Sequence, residues 1–267
     1  MDNQIAPDAA ASPASPGALP KEMQDHHYPL LFEIEEKHWW YLGRRRVLES
    51  IVADIRARMD KPELEILDVG CGTGANLKML ASFGKAEGVD LSQQALDFCH
   101  RRGLDGARYG AAESLPFDDD TFDLVTALDV IEHLDDDSSG LNEICRVLRP
   151  GGYALLFVPA FMFLWGVQDD VSHHRRRYTR PELEKAVTRA GLEIELASYA
   201  NFTFFFPVLA VRWTMRLLKI RAESEYGINL SLMNGIFAQI FGAERFFIKR
   251  TGLPFGVSVV CVARKKE

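Results

Sequence analysis

The sequence predicts an α/β fold built on a doubly wound, mostly parallel sheet of seven strands. Three observations carry that expectation. Short apolar runs alternate with helical stretches through the middle of the chain, the pattern of successive βαβ units. The first run, Ile66-Leu67-Asp68-Val69, breaks into Gly70-Cys71-Gly72-Thr73-Gly74, a turn whose bare backbone can approach a ligand. The second run ends in Asp90, where an acid is placed to accept the hydroxyls of a ribose.

The elements follow in order. Residues 1–22 read as a disordered tail, because the first twenty are rich in Ala, Pro and Ser and have little apolar surface to bury. Residues 23–60 form an N-terminal helical cap. Apolar residues recur at helical spacing from Leu31 to Ile55, and Gly43 is expected to break the helix in two. The main domain covers 61–267. Its first strand is 64–69, followed by a helix over about 75–83 and a strand over 86–90. Ser92 caps a helix to about 102. Strands follow at 107–109 and 122–128. A helix over 138–148 stops at Pro150-Gly151-Gly152, and the fifth strand is 153–158. Thr179 caps a helix to about 190, the sixth strand is 192–199, and the last is 257–264.

Between the sixth and last strands lies a helical insertion, about 200–255, holding nine of the chain's seventeen phenylalanines. One helix is expected over 203–220, with Arg212, Arg216 and Lys219 as a basic stripe. A second is expected over 230–249, with Leu232, Met233, Ile236, Phe237, Ile240 and Phe241 on one face. The insertion reads as a small helical lid packed on the sheet edge. The alternative is an interfacial surface or greasy acceptor cleft, since an apolar face rimmed by Lys and Arg suits peripheral contact with an anionic membrane through 203–250.

The net charge of −7 argues against a nucleic-acid partner, which needs a basic face. The four cysteines, at 71, 99, 145 and 261, form no CxxC pair, which suits a reducing cytoplasm without disulfides or zinc. The N-terminus lacks a signal-peptide pattern, and no apolar run is long enough to span a membrane. The expected location is cytoplasmic, with membrane association as the alternative if the insertion meets lipid.

The acid just ahead of the glycine turn, Asp68, discriminates between cofactors. It would repel a pyrophosphate and attract an ammonium or sulfonium. That speaks against a nicotinamide dinucleotide and for S-adenosylmethionine. The chain resembles class I S-adenosylmethionine-dependent methyltransferases in Ile66–Gly74, Gly88–Ser92, Ala111–Phe117, Phe122–Val125, Asp129–Leu134 and Glu143–Gly152. The ubiquinone-pathway-like subgroup is similar in its paired Trp and later Arg ahead of the core. The resemblance implies a Rossmann-like seven-stranded sheet whose last strand is antiparallel. It also implies cofactor contacts from the backbones of Gly70, Cys71 and Gly72, with Asp68 near the amino group and Asp90 on the ribose. Leu91, Ala112 and Glu113 would lie about the adenine, and Leu128 against the methionine chain. Trp40 and Arg45 are the candidates for the cofactor carboxylate, which a guanidinium suits.

Candidate catalytic residues are His174, Asp169 and His133. Asp169 and His174 would form an acid–imidazole pair, the acid orienting the base. Arg176 or Arg177 would bind an anionic acceptor. No metal site is expected, since His173, His174 and Asp169 lack regular ligand spacing. The function read from these residues is O- or N-methyl transfer to a small hydrophobic or lipid-linked acceptor. The alternatives are a soluble natural-product acceptor and a cofactor-binding partner subunit without catalysis.

Overall fold

The computed structural model describes residues 27–218 and 233–267. The tail over 1–22, Lys219 and Leu232 lie outside the described residues. Seven strands form one sheet: β1 (Leu64–Val69), β2 (Gly84–Asp90), β3 (Ala107–Tyr109), β4 (Phe122–Leu128), β5 (Leu148–Pro159), β6 (Leu192–Ala200) and β7 (Ser258–Lys265). Their spatial order is β3-β2-β1-β4-β5-β7-β6. The order reverses between β1 and β4, which pair in parallel, and ligands bind at such a switch point. β7 runs antiparallel to both neighbours, β5 and β6. Every residue of β4 is buried, as a central strand covered on both faces requires.

The helices are α1 (His27–Ile34), α2 (Trp39–Met59), α3 (Ala75–Leu80), α4 (Gln93–Arg101), α5 (Asp137–Val147), α6 (Val167–Val171), α7 (Arg180–Arg189), α8 (Phe205–Leu217), α9 (Asn234–Ala243) and α10 (Arg245–Ile248). Two caps are where the sequence puts them. Ser92 Oγ accepts from Ala95 N at 3.3 Å, and Thr179 and Glu182 form a capping box at the start of α7.

Gly43 does not break the cap helix. The break falls at 35–38, and α2 starts where His38 Nδ1 accepts from Trp40 N at 3.3 Å. Gly43 lies inside α2 at its contact with α9. A Cβ there would stand 2.7 Å from Phe241 Cβ, so glycine is required by close helix approach. Pro150-Gly151-Gly152 follows the end of α5 but already belongs to the next strand. β5 already begins at Leu148, opposite Phe122, and the register shifts before Leu124 meets Tyr153. The three residues form a bulge inside the strand, with Gly151 at φ +77°.

The cap and the insertion pack on each other. Phe241 of α9 is fully buried against Gly43, and a Cβ on Gly242 would meet Arg46 Cδ at 2.8 Å. Trp39 of α2 stacks on Phe204 at 4.5 Å between centroids. In its described part, from Asn234 on, the second insertion helix divides at Glu244 into α9 and α10. Its expected apolar face also divides: Phe241 is buried, while Met233, Ile236 and Ile240 are exposed.

In its described part the basic stripe of α8 bonds backbone carbonyls, Arg212 half-buried and Arg216 exposed. Arg212 donates to the Leu164 carbonyl, and Arg216 to the Trp165 carbonyl at 3.1 Å. Phe206, Trp213 and Leu217 point to solvent, Leu217 being 79% exposed. Among the described residues no helix is long and apolar enough to cross a membrane.

Candidate active site

A cavity of about 720 Å³ opens at the carboxyl ends of β1, β2 and β4, within the size range of small-molecule sites. The glycine turn and β2 wall one end, and α8 and α9 wall the other.

At the first end, Gly70, Gly72 and Gly74 all hold positive φ (+65°, +53° and +87°), a conformation that glycine adopts without Cβ strain. A Cβ on Gly70 would meet Val130 Cγ2 at 2.5 Å, whereas one on Gly72 would have nothing within 4 Å. Gly72 therefore offers open backbone to a ligand. Asp90 ties the turn together: its Oδ2 accepts from Gly72 N at 2.8 Å and its Oδ1 from Ser92 N at 2.9 Å. Each oxygen keeps a second lone pair for a ribose hydroxyl. Burial raises the Asp90 carboxyl, and these backbone bonds oppose the rise. Leu91, Ala112, Glu113 and Leu128 line the same end. Cys71 lines it too, with its thiol kept protonated by the Cys99 contact and burial. A protonated thiol beside Gly88 serves as packing.

Two expected cofactor residues lie elsewhere. Asp68 does not line the cavity. It is buried, and accepts from Thr126 Oγ1 at 2.6 Å, while its Oδ2 has no partner. Burial pushes its carboxyl up to about 7, against the pull of Thr126 and Arg44. Arg45 turns away from the cavity and bonds the Glu35 carbonyl, the Ala75 carbonyl and Glu36. Arg44 lines the cavity in its place. It is 4% exposed, lies 4.4 Å from the centroid of Trp40 and pairs with Asp129. Its Nε is buried without a partner. Trp40 lines the cavity as expected.

β4 ends at Leu128, and Asp129 follows at φ +60°, a strained conformation of the kind held at functional sites. Beyond it lies a polar cluster. His174 Nδ1 lies 2.8 Å from Asp169 Oδ1, and Arg177 grips Asp169 through Nε and Nη2 at 2.8 and 2.9 Å. Arg212 stands 4.0 Å from Asp169 Oδ2. Burial raises Asp169, but His174 and Arg177 together hold it well below the usual carboxylate range. His174 thus presents Nδ1–H to a carboxylate and leaves Nε2 to the site. His133 meets the His174 ring edge-on at 4.7 Å. Burial first, then the neighbouring His and Arg charges, lower His133 to about 3, so it is a weak proton acceptor at neutral pH.

The arginine run divides. Arg176 donates to the Leu134 and Asp135 carbonyls, both at 2.7 Å, bracing the segment after β4, and does not line the cavity. Arg177 points inward. The expectation of no metal site was drawn from His173, His174 and Asp169. Glu132, His133 and His174 bring ligand atoms within 4.8 Å of one another. Glu132 is fully buried, and burial raises its carboxyl well above the ordinary value.

Sequence reasoning also missed Arg44, Asp129, Arg212 and Asn201, all of which line the cavity. Arg44 left a signal as a neighbour of the chosen Arg45, Asp129 as the first residue of the segment Asp129–Leu134, and Arg212 as part of the basic stripe; Asn201 left none.

Residues 67–156 match a family model described as a methyltransferase domain. A fatty-acid O-methyltransferase of Mycolicibacterium smegmatis is 35% identical over 153 residues, covering 55% of this chain and 50% of that protein. A malonyl-[acyl-carrier protein] O-methyltransferase of Methylococcus capsulatus is 34% identical over 164 residues, covering 55% and 58%. The chain thus spans about half the length of these curated relatives. A solved S-adenosylmethionine-dependent methyltransferase from Thermotoga maritima shares the fold, with TM-score 0.55 and 19% identity over 90% of this chain and 98% of that one. Residues 67–156 thus match a methyltransferase domain, the fold is that of a solved S-adenosylmethionine-dependent methyltransferase, and the chain is similar in sequence to O-methyltransferases. S-adenosylmethionine is the cofactor of such methyltransferases, and the open Gly72 backbone, Asp90 and the buried Arg44 fit it.

Proposed function

We propose that this protein transfers a methyl group from S-adenosylmethionine to a carboxylate oxygen of an amphipathic acceptor with an acyl-like tail. The observation that carries this reading is the composition of the cavity. It runs from the glycine turn, past Arg177, Arg212 and His174, to a wall of Phe204, Pro207, Val208, Val211 and Phe237. The middle holds the guanidiniums of Arg177 and Arg212 around Asp169. Guanidiniums at that position favour an anionic head, and the apolar wall favours a hydrocarbon tail. The fatty-acid and malonyl-carrier O-methyltransferases to which the chain is similar act on acceptors of that kind, by their names.

The cofactor supplies a methyl group already activated on a sulfonium. Asp90, Leu91, Ala112 and the Gly72 backbone would hold its nucleoside, and Arg44, released from Asp129, its carboxylate. When bound, the cofactor would give that methyl group to the acceptor oxygen and leave as S-adenosylhomocysteine, the S–CH₃ electron pair remaining on sulfur. Alignment is the main contribution of the protein, and positioning can supply roughly 7–11 kcal/mol. A carboxylate has no proton to lose. For a hydroxyl acceptor His174 Nε2 would take the proton, oriented by Asp169. We place the acceptor's entry at α8 and α9, whose outer residues Phe206, Trp213, Leu217, Ile236 and Ile240 are exposed and suit an interfacial surface.

Calorimetric titration with S-adenosylhomocysteine and NAD, then with dodecanoate on the S-adenosylhomocysteine complex, tests this. Micromolar binding of the adenosyl ligand and of dodecanoate, with none of NAD, is expected. Binding of the adenosyl ligand without any dodecanoate binding would reject the acyl acceptor.

A further inference from the structure

The structure holds one buried polar side chain in the cavity wall that the reading above does not use. Asn201 follows β6 at the root of the insertion. It is fully buried, yet neither Oδ1 nor Nδ2 of its amide has a partner. Its main chain is committed elsewhere. The carbonyl accepts from Val257 N at 3.4 Å, and the N–H donates to the Glu244 carboxylate. The amide is therefore what Asn201 has left to offer the cavity it lines.

Its conformation is enforced. Asn201 holds φ +59°, and the next two N–H groups, of Phe202 and Thr203, also bind Glu244, at 3.1 and 2.9 Å. Three successive backbone donors wrap one carboxylate, an anion nest. Glu244, at the junction of α9 and α10, is 4% exposed. It closes the insertion onto the end of β6 and fixes where the Asn201 amide stands. A strained residue whose surroundings over-determine it is a mark of a functional site.

We infer that Asn201 is a specificity-determining residue that selects an acceptor carrying a hydroxyl close to its anionic head. This rests on the amphipathic-carboxylate reading. A carboxylate offers only acceptors, so it can satisfy Nδ2–H and leaves Oδ1 buried without a donor. A neighbouring hydroxyl donates to Oδ1, and the amide is then paired at both atoms. A site built to hydrogen-bond a hydroxyl rejects the analogue that lacks it more strongly than an apolar pocket rejects one that has it. Sequence gave no sign of this, because an asparagine after a strand reads as an ordinary turn residue.

The test compares dodecanoate with β-hydroxydodecanoate, each titrated into the S-adenosylhomocysteine complex of the full chain and of two variants. Asn201→Gly keeps the left-handed backbone and removes the amide. Asn201→Asp keeps the shape and the acceptor oxygen and removes the donors. The wild type is expected to bind the hydroxylated chain at least about tenfold more tightly, the size of effect a buried unpaired amide produces. The Gly variant is expected to hold the two chains within about threefold of each other, with S-adenosylhomocysteine affinity unchanged. The Asp variant is expected to bind both chains at least about tenfold more weakly, through repulsion of the head. Equal wild-type affinities, or a preference that survives in the Gly variant, would overturn the inference and leave the acyl-acceptor reading standing. Binding of neither chain, with S-adenosylhomocysteine bound, would overturn both. Should the Gly variant lose S-adenosylhomocysteine binding through misfolding, the Asp variant decides: wild-type affinity for both chains there overturns the role.

Discussion

Alanine at Gly70 and at Gly72 separates a glycine that the fold needs from one that a ligand needs. Both positions hold positive φ, +65° and +53°, so alanine costs about 1–2 kcal/mol of backbone strain at either. The surroundings differ. A Cβ at Gly70 stands 2.5 Å from Val130 Cγ2, and relieving that overlap costs a further ~1–3 kcal/mol. A Cβ at Gly72 touches no protein atom within 4 Å, so Gly72→Ala bears the strain alone. At about 2–4 °C per kcal/mol for a chain of this size, Gly72→Ala should melt about 2–8 °C below wild type. Gly70→Ala should fall further, by about 4–20 °C. Affinity for S-adenosylhomocysteine should show the larger effect at Gly72, where the methyl group takes up ligand space, with a loss of about tenfold or more. Melting curves and calorimetric titration of both variants check this. Wild-type affinity in Gly72→Ala would refute the placement of the cofactor on that turn.

Other outcomes follow from the same geometry. Arg44→Gln should weaken S-adenosylhomocysteine binding about tenfold or more, because a charge-assisted bond is worth roughly 1.5–3 kcal/mol; Arg45→Gln should stay within about threefold, and calorimetry compares them. Asp68 binds its proton in the folded state up to about 7, whereas the unfolded chain releases it near 3.8. Its contribution to stability is thus present at low pH and lost as pH rises through that window. Chemical denaturation across the window should show the stability gap between wild type and Asp68→Asn narrowing, then reversing in favour of Asn, as pH rises; a constant gap would contradict it. Phe241→Ala should open the contact between α2 and α9 and cost about 3–5 kcal/mol, read as a melting temperature ~10 °C lower.

The fold was largely legible because its signals are local. β1, β3 and β4 begin and end where the apolar runs do. Ser92 and Thr179 cap where their spacing to Ala95 and Glu182 places them. The misreadings share one cause: each depended on what a residue meets far away in sequence. Gly43 looks like a breaker until Phe241 is seen against it. Arg44 and Arg45 are adjacent on a helix and so point about 100° apart, and only packing decides which one faces the cavity. Arg212 looks like part of an exposed stripe until Leu164 presents a carbonyl to it. The cofactor end of the site was readable because a glycine turn and a strand-end acid are sequence patterns. The acceptor end was only partly readable, since Asp169 and His174 lie close in sequence while Arg212 and Asn201 arrive from the insertion.

The central claim is methyl transfer to an amphipathic carboxylate, and label transfer tests it most directly. The protein is incubated with S-adenosylmethionine bearing a deuterated methyl group, together with dodecanoate and β-hydroxydodecanoate, and the products are read by mass spectrometry beside an Asp90→Ala control. The account predicts labelled methyl esters and stoichiometric S-adenosylhomocysteine with the wild type, and a large loss of both in the control. Absence of any labelled ester from a protein that binds S-adenosylhomocysteine would contradict it.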